Sequence, residues 1–526
     1  MELSKAEDKP LNWNKTRLKQ VDWVLIVVLW ASAFAFRAPA TKGDLWFDEA
    51  DYAFAAMRGF EANRLDKEVS AADPEKLVRY RHFHPPGIAY LIQVGLTFSY
   101  REQAVRACSL LIGCGSVVLM YLCGLLLFGE RRKLAFLVAL MLVLTPADIR
   151  ASSHAISWSY IVFCLLALFW TMLQFLKTRH VKWIWGGWVA LAGMYTVSEF
   201  FLPILLIAIL CAPSLYASDW KNKTARKRLL VANGAGLLLF LGLAWIFWPA
   251  GLTGGALKML EHYVKMADIS FPTTIGGHVY AQAPKWAYLY WYVRSYPVFA
   301  VIYLTGLALI LRRLFARRVS PEFGVLIVFT LVITLVAHKA HIIHTSYLVH
   351  ALPFLTLCGG FAVISLERWR VHFGYTLWIG ALILNFASLH VWRGRDMDLE
   401  ARSRIERWAE ACRFLAPQLE KSDVMLAHAF GSPARWYLVH EPTNPNPVQE
   451  WQIQALPEEH ASAKLICDLE RGRYRFVGIG STFNDTFSVD PGIRKIVEGW
   501  KCIWKSDERG TGTPRLLIYE FTPKPH

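Results

Sequence analysis

Charge is scarce in this 526-residue chain, and several familiar signatures are missing from it. Only 19% of the residues are Asp, Glu, Lys or Arg, while 55% are hydrophobic. That balance is wrong for an ordinary soluble protein. No Cys-x-x-Cys pair or zinc-like cysteine spacing occurs. Cys108, Cys114, Cys123, Cys164, Cys211 and Cys358 lie in apolar runs and read as small packing residues. Cys412, Cys467 and Cys502 remain, so at most one disulfide can form among them. Gly478-Ile479-Gly480 follows a strand-like run but lacks the rest of the dinucleotide fingerprint, so no nucleotide site is indicated. No internal repeat is visible, which counts against an inverted-repeat transporter. No small-residue cleavage site follows the first apolar run, which is therefore expected to stay as a helix.

What the chain does have is long apolar runs, recurring from Val21 to about Val391. The formal net charge is +16, and nearly all of it belongs to this apolar part. In the tail the acidic and basic residues roughly cancel. The basic residues sit in clusters between runs, where they act as topology signals rather than as a nucleic-acid surface. The clusters are Lys15 to Lys19, Arg131 to Lys133, Lys177 to Lys182, Lys221 to Arg228, Arg312 to Arg318, and Arg368 with Arg370. Placing all of them on the cytoplasmic side predicts eleven spans: 21–38, 103–128, 134–150, 155–176, 183–199, 200–217, 229–248, 294–312, 322–337, 346–366 and 373–391. An odd count puts the N-terminus inside and the tail outside. The predicted fold class is an α-helical polytopic membrane protein of the bacterial inner or plasma membrane, with a C-terminal extracytoplasmic α/β domain. Its parts are a cytoplasmic segment (1–20), a transmembrane domain (21–391) and the tail (392–526). The α/β reading of the tail rests on helix-like runs at 399–419, 457–469 and 493–500 and strand-like runs at 424–429, 476–479 and 516–521.

Two large outer loops, 39–101 and 249–294, break the pattern. Within the first, the apolar stretch Gly87–Phe98 is twelve residues long, short of the roughly 17–25 that a spanning helix needs. It reads as an interfacial or re-entrant helix. Two long semi-apolar loops on one face suggest a roofed cavity there, because irregular backbone at membrane depth needs protein or a wet cavity beside it.

The first loop carries Asp44-Leu-Trp-Phe-Asp48-Glu49-Ala-Asp51-Tyr52, four carboxylates within eight residues. If a helix starts at Asp48, then Asp48, Asp51 and Tyr52 share a face. The helix N-terminus then stabilises Asp48 as an anion. Such a carboxylate is suited to take a proton from an acceptor hydroxyl. It is equally suited to ligate a divalent cation, and the plainer reading is a capping residue in a solvated acidic turn. Further along, Arg79, Arg81, His82 and His84 precede Pro85-Pro86 and the short apolar helix. Cations at head-group level form a natural phosphate site; ordinary interface anchoring is the simpler alternative.

Phe47-Asp48-Glu49-Ala50 followed by His84-Pro85-Pro86 and a short apolar helix resembles the GT-C glycosyltransferases. The likeness is to the protein O-mannosyltransferase and lipid A aminoarabinose transferase type. The pattern continues with Arg106 opening the second span, Leu127-Phe128-Gly129, the turn from Pro146 to His154, Tyr195 to Glu199, and Tyr347 with Pro353. The resemblance implies that Asp48 activates the acceptor, with Glu49 supporting or substituting for it. It implies that the His82–His84 segment approaches a lipid phosphate. Several of these enzymes carry lysine just before the Pro-Pro; here it is His84, so that contact falls to imidazole or to Arg79 and Arg81.

Other polar residues are expected at the same outer level. Arg150 and His154 lie at i, i+4 in the turn that also holds Asp148. Glu199 stands between two apolar runs, where an ionisable group is costly. His338, Lys339, His341 and His344 form the turn between the ninth and tenth spans, with Lys339 suited to a phosphate and a zinc reading weaker. In the second loop, His262, His278, Lys285 and the aromatic run Trp286 to Tyr292 could cover a sugar or form an interfacial belt. The expected site therefore has Asp48 and Glu49 as catalytic residues. Asp51, Tyr52, Arg79, Arg81, His82, His84, Arg106, Arg150, His154, Glu199, Lys339, His341 and Tyr347 are the expected substrate contacts. The expected activity is inverting transfer of a sugar from a polyprenyl-phosphate donor to an acceptor hydroxyl on a lipid, glycan or protein at the outer face. No cofactor is identified by the residues, and a divalent cation is compatible with them. Membrane lipids are the other expected partner, and nucleic acid is not one. The alternatives are a lipid-linked glycan transporter or flippase, an O-antigen-ligase-like enzyme, and a non-catalytic scaffold whose tail binds a partner.

Overall fold

The computed structural model describes residues 18–45, 47–57, 85–129, 131–198, 201–249, 251–255, 273–275, 278–280, 284, 286–287, 289–290, 293, 297–339, 348–369, 372–395, 407–427, 432–439, 448–449, 452–456, 461–480, 490–506 and 516–521. In chain order its helices are α1 (Gln20–Arg37), α2 (Phe47–Met57), α3 (Gly87–Leu96), α4 (Glu102–Phe128), α5 (Arg132–Val143), α6 (Pro146–Ser153), α7 (Trp158–Thr178), α8 (Lys182–Val197) and α9 (Phe201–Trp220). They continue as α10 (Lys223–Phe247), α11 (Pro297–Phe315), α12 (Pro321–Lys339), α13 (Leu348–Trp369), α14 (Phe373–Arg395), α15 (Trp408–Leu415), α16 (Ser432–Val439), α17 (Ala463–Glu470) and α18 (Pro491–Val497). The strands are β1 (Thr273–Ile275), β2 (His278–Tyr280), β3 (Met425–Ala427), β4 (Ile453–Ala455), β5 (Phe476–Gly480), β6 (Lys501–Lys505) and β7 (Leu516–Glu520). The chain divides into two compact units, 1–40 with 109–393 and 41–108 with 394–526.

The first unit is helical, with one short antiparallel ribbon of β1 and β2. Among the described residues six helices are long and apolar enough to cross a membrane, or seven if the bent α5–α6 pair is one span. They are α1, α4, α7, α10, α11 and α13. Shorter apolar stretches lie in α9, α12 and α14. The length and apolarity of these helices make this a multi-pass membrane protein, and the expected eleven spans exceed the number that pass this test. The run expected to be one span over 134–150 is broken: α5 and α6 meet at 61°. Pro146 at the first position of α6 is the physical reason, since it forces Thr145 out of helical geometry, to φ −81° and ψ 115°.

Helix α1 shows how little apolar contact some of these helices make. Its buried residues are Asp22, Leu29, Ala33 and Arg37, one stripe at i, i+7, i+11 and i+15. Both charged members are paired. Asp22 Oδ1 accepts from Tyr121 Oη at 2.7 Å and from Arg132 Nε at 2.8 Å, and its Oδ2 accepts from the Lys19 amide at 2.7 Å. At the other end Arg37 forms an ion pair with Asp148 and donates to Ser152 Oγ at 3.3 Å and to the Ala33 and Leu142 carbonyls. Glycine permits a close crossing: a Cβ on Gly306 of α11 would lie 1.9 Å from the Cys358 carbonyl oxygen of α13.

The second unit joins the first loop to the tail. Its sheet has strand order β4-β3-β5-β7-β6, with β3 parallel to β4 and β5, and β7 antiparallel to β5 and β6. Every residue of the central strand β5 is buried. Alternation sends Val477 and Ile479 into a core with Leu426, Leu465, Leu469, Ile493 and Val497, built by α17 and α18. Gly478 faces the other way, and a Cβ there would crowd Met425 and Trp408 of α15. The short helix α3 has ten residues, too few to span. It lies so close to α4 that a Cβ on Gly95 would be 2.0 Å from the Ala104 carbonyl oxygen.

A candidate site on the first loop

Helix α2 begins at Phe47, so Asp48 and Glu49 both lie in its first turn. Successive residues on a helix point roughly 100° apart, and here that separates two carboxylates into two environments. Glu49 shares a stripe with Ala53 and Ala56, all wholly buried. Asp48 and Asp51 are half-buried on another side, with Tyr52 buried beside them. The predicted common face of Asp48, Asp51 and Tyr52 therefore follows from the helix itself.

Glu49 is held on both oxygens by Arg106 of α4. Nε donates to Oε1 at 2.8 Å and Nη2 to Oε2 at 2.5 Å. The rest of the guanidinium is spent on the loop before α2: Nη1 donates to the Thr41 and Gly43 carbonyls, and Nη2 to that of Asp44, each at 2.8 Å. All five N–H groups are thereby engaged. Arg106 was expected to touch substrate; its five donors meet acceptors within the protein. Glu49 was expected beside Asp48 as a chemical group; it is buried and bound in a fork-to-fork ion pair.

The tail holds the same loop from its other side. Asp44 Oδ2 accepts from the Ala409 amide at 3.0 Å, in the first turn of α15. This is a helix cap supplied from 365 residues away. Arg407, the residue before that helix, is left-handed at φ 55° and offers no side-chain cap of its own. The Leu45 amide donates to Tyr437 Oη of α16 at 2.7 Å. Burial raises the Asp44 carboxyl above its usual value; the Ala409 amide opposes the shift, Glu102 adds to it, and Arg413 and Arg106 oppose it. Burial likewise pushes the Tyr437 phenol well up, so it stays neutral.

In the first unit Arg150 lies in α6 and His154 directly follows that helix. Both are buried, and His154 Nδ1 lies 3.0 Å from the Arg150 carbonyl oxygen. The Arg150 guanidinium stacks 5.8 Å from the Trp158 ring. Asp148, from the same turn, belongs to Arg37. Arg79, Arg81, His82, His84, Glu199, His341 and Tyr347 lie outside the described residues, and of Lys339 only its place at the end of α12 is described. Among the described residues no group of three His, Cys, Asp or Glu side chains gathers as a metal site.

The fold has solved relatives. ArnT from Cupriavidus metallidurans matches in its apo state at TM-score 0.58 and 13% identity, over 95% of this chain and 98% of that one. The same enzyme bound to undecaprenyl phosphate matches at 0.60 and 12%, with the same coverage. The Archaeoglobus fulgidus oligosaccharyltransferase, solved with zinc and sulfate, matches at 0.50 and 12%, over 86% of this chain and 67% of that one. The mycobacterial arabinofuranosyltransferase AftD matches at 0.51 and 15%, over 96% and 40%. No family model matches the sequence, and no curated protein does either. At these identities the likeness is one of architecture, and it spans nearly the whole chain: this protein has the GT-C glycosyltransferase fold.

Proposed function

We propose that this protein is an inverting glycosyltransferase that takes a sugar from a polyprenyl-phosphate donor, with Asp48 as the base. The observation that carries this is the division of labour in the first turn of α2. Glu49 is neutralised by Arg106, while Asp48 remains half-buried on the face it shares with Asp51 and Tyr52. A base must be ionised and within reach of the proton it removes. A helix first turn favours the ionised form. In this scheme the acceptor hydroxyl gives its proton to an Asp48 oxygen as it attacks the anomeric carbon. The bond to the lipid phosphate breaks on the opposite side, and cations stabilise the leaving phosphate. Arg79, Arg81, His82, His84, Arg150, His154, Glu199, Lys339, His341 and Tyr347 are the groups assigned to that phosphate or the sugar. Arg106 and Glu49 act as positioning residues, fixing where Asp48 stands.

Eleven spans, a cytoplasmic N-terminus and an outer-face site complete the reading. It is supported by the basic clusters and by single helices along ten of the expected segments, with the bent α5–α6 pair along 134–150. ArnT, of the same fold, has been solved with undecaprenyl phosphate, which favours a polyprenyl-linked donor here. The test is to incubate purified protein with a panel of polyprenyl-phosphate sugars and acceptors and to measure released polyprenyl phosphate. Release with at least one donor, abolished in Asp48→Asn, is the expected outcome. Wild-type release by Asp48→Asn would remove Asp48 from the chemistry.

A further inference from the structure

Far from α2 in sequence, the first unit contains a crevice that the transferase reading does not use. It lies between α7, α8, α9 and α10, and its volume is about 200 Å³. Phe175, Ile184, Leu191, Leu205 and Ala212 are among its apolar walls. Ile209, also in the wall, is 59% exposed, so the crevice opens sideways onto the surface that the apolar helices present to a bilayer. That volume is below the roughly 300–1,000 Å³ usual for whole ligands, and it suits a segment of hydrocarbon chain.

The crevice is polarised along its length. It runs along the helices from Leu168, Leu191 and Leu205 to Phe175, Trp183 and Leu215, which lie beside the α7–α8 and α9–α10 turns. Over 177–182 and 219–228 those turns carry eight Lys and Arg residues against one acid, Asp219. Arg179 closes this end: its guanidinium stacks 5.5 Å from the Phe175 ring and donates to the Leu215 carbonyl at 2.6 Å and to Asp219 at 3.0 Å. Asp219 thus balances Arg179, while Lys177 and Lys182 extend the cationic end, Lys182 with its ammonium 4.9 Å from the Trp183 ring. Trp183 lines the crevice one residue from Lys182, and its buried Nε1–H has no acceptor among the described residues. A buried donor without a partner is costly. An ester carbonyl at this level would satisfy it.

From these features we infer that the crevice binds an anionic diacyl phospholipid of the leaflet at that end. One acyl chain lies between α7 and α9, an ester carbonyl accepts from Trp183 Nε1, and the phosphate meets Lys177 and Lys182. Basic pockets between membrane helices recognise anionic head groups in this way. The site is independent of Asp48 and of any transfer reaction.

The experiment uses the full chain, stripped of lipid in detergent and given dioleoylphosphatidylglycerol or dioleoylphosphatidylcholine. Retained lipid is counted by native mass spectrometry and thermal unfolding is followed in parallel. Phosphatidylglycerol is expected to be retained in preference by roughly tenfold or more and to raise the melting temperature. The Lys177→Gln/Lys182→Gln pair should erase the preference. Gly187→Leu fills the crevice and should abolish retention of both lipids; a Cβ at Gly187 makes only ordinary contacts, at 3.6 Å. Trp183→Phe removes the donor alone and should weaken retention severalfold, which keeps the test decisive if Gly187→Leu fails to fold. Equal retention of the two lipids, or a preference unchanged in the lysine pair, overturns the inference. So does a melting shift fully reproduced by inorganic phosphate, because the acyl chain would then contribute nothing.

Discussion

The Glu49–Arg106 pair separates two readings of the α2 carboxylates that activity loss alone would confuse. Arg106→Met leaves Glu49 as a buried, uncompensated charge, a change that costs about 3–5 kcal/mol. It also strips donors from the Thr41, Gly43 and Asp44 carbonyls, at about 1 kcal/mol each where water cannot replace them. Glu49→Gln keeps the shape but turns one amide donor toward the guanidinium, at a cost of about 2–3 kcal/mol. Replacing both partners, Glu49→Met/Arg106→Met, removes the two charges together, so the double variant should be more stable than the sum of the singles by roughly 2–3 kcal/mol. The assay is unfolding of the full chain in detergent alongside release of polyprenyl phosphate at saturating donor. A positioning pair predicts that turnover follows stability and that the double variant recovers part of both. A methionine cannot accept a proton, so any recovery rules out Glu49 as the base. If Glu49→Gln unfolds like wild type yet is as inactive as Asp48→Asn, the positioning role assigned to Glu49 is wrong.

Four further outcomes follow from the same structure. Asp48→Asn should lose roughly 10²–10⁴ in turnover at unchanged KM; a KM effect alone would make Asp48 a binding group. Asp44→Ala removes the cap on α15 and should cost about 1 kcal/mol, whereas Asp44→Asn keeps an acceptor for the Ala409 amide. Because burial raises the Asp44 carboxyl, its contribution is complete below 3.8 and declines as pH rises through the folded value; melting curves across the acid range should show that decline in wild type and not in Asp44→Asn, and parallel curves would contradict it. Gly95→Ala and Gly306→Ala each force a Cβ onto a backbone carbonyl and should destabilise by roughly 1–3 kcal/mol, read as a lower melting temperature; unchanged melting would mean that neither crossing is as close as described.

Much of the helical frame was legible because apolar runs ended by basic clusters mark helix limits in any membrane protein. The expected segments at 103–128, 322–337 and 373–391 lie within or along α4, α12 and α14. Composition could not reveal which charges turn inward. Arg132 reads as one member of a basic loop, yet its Nε belongs to Asp22. Arg106 reads as a cation at the head of a span, yet it is saturated by one carboxylate and three carbonyls. Carbonyl partners carry no residue type, so no motif announces them. Asp44 reads as one of four clustered carboxylates, and nothing local says that its partner is an amide of the tail. In the tail, β6 escaped notice because most of its residues are exposed and it lacks the buried run that marks β5. Asp22 did offer a signal: an acid at the edge of an apolar run usually has a partner.

The stripe on α1 bears on how the protein is assembled in the membrane. Asp22 and Arg37 stand fifteen residues apart, roughly 22 Å along the helix axis, so each lies toward one end of the span. Their partners Arg132 and Asp148 are made about a hundred residues later. Until then neither charge on α1 has its ion-pair partner. Placement at the two ends lets each side chain stay hydrated at an interface during that interval. When α5 and α6 arrive, a polar latch at each surface closes. The helix is then fixed in depth and rotation by two locks rather than by apolar area, of which its inward stripe has only Leu29 and Ala33.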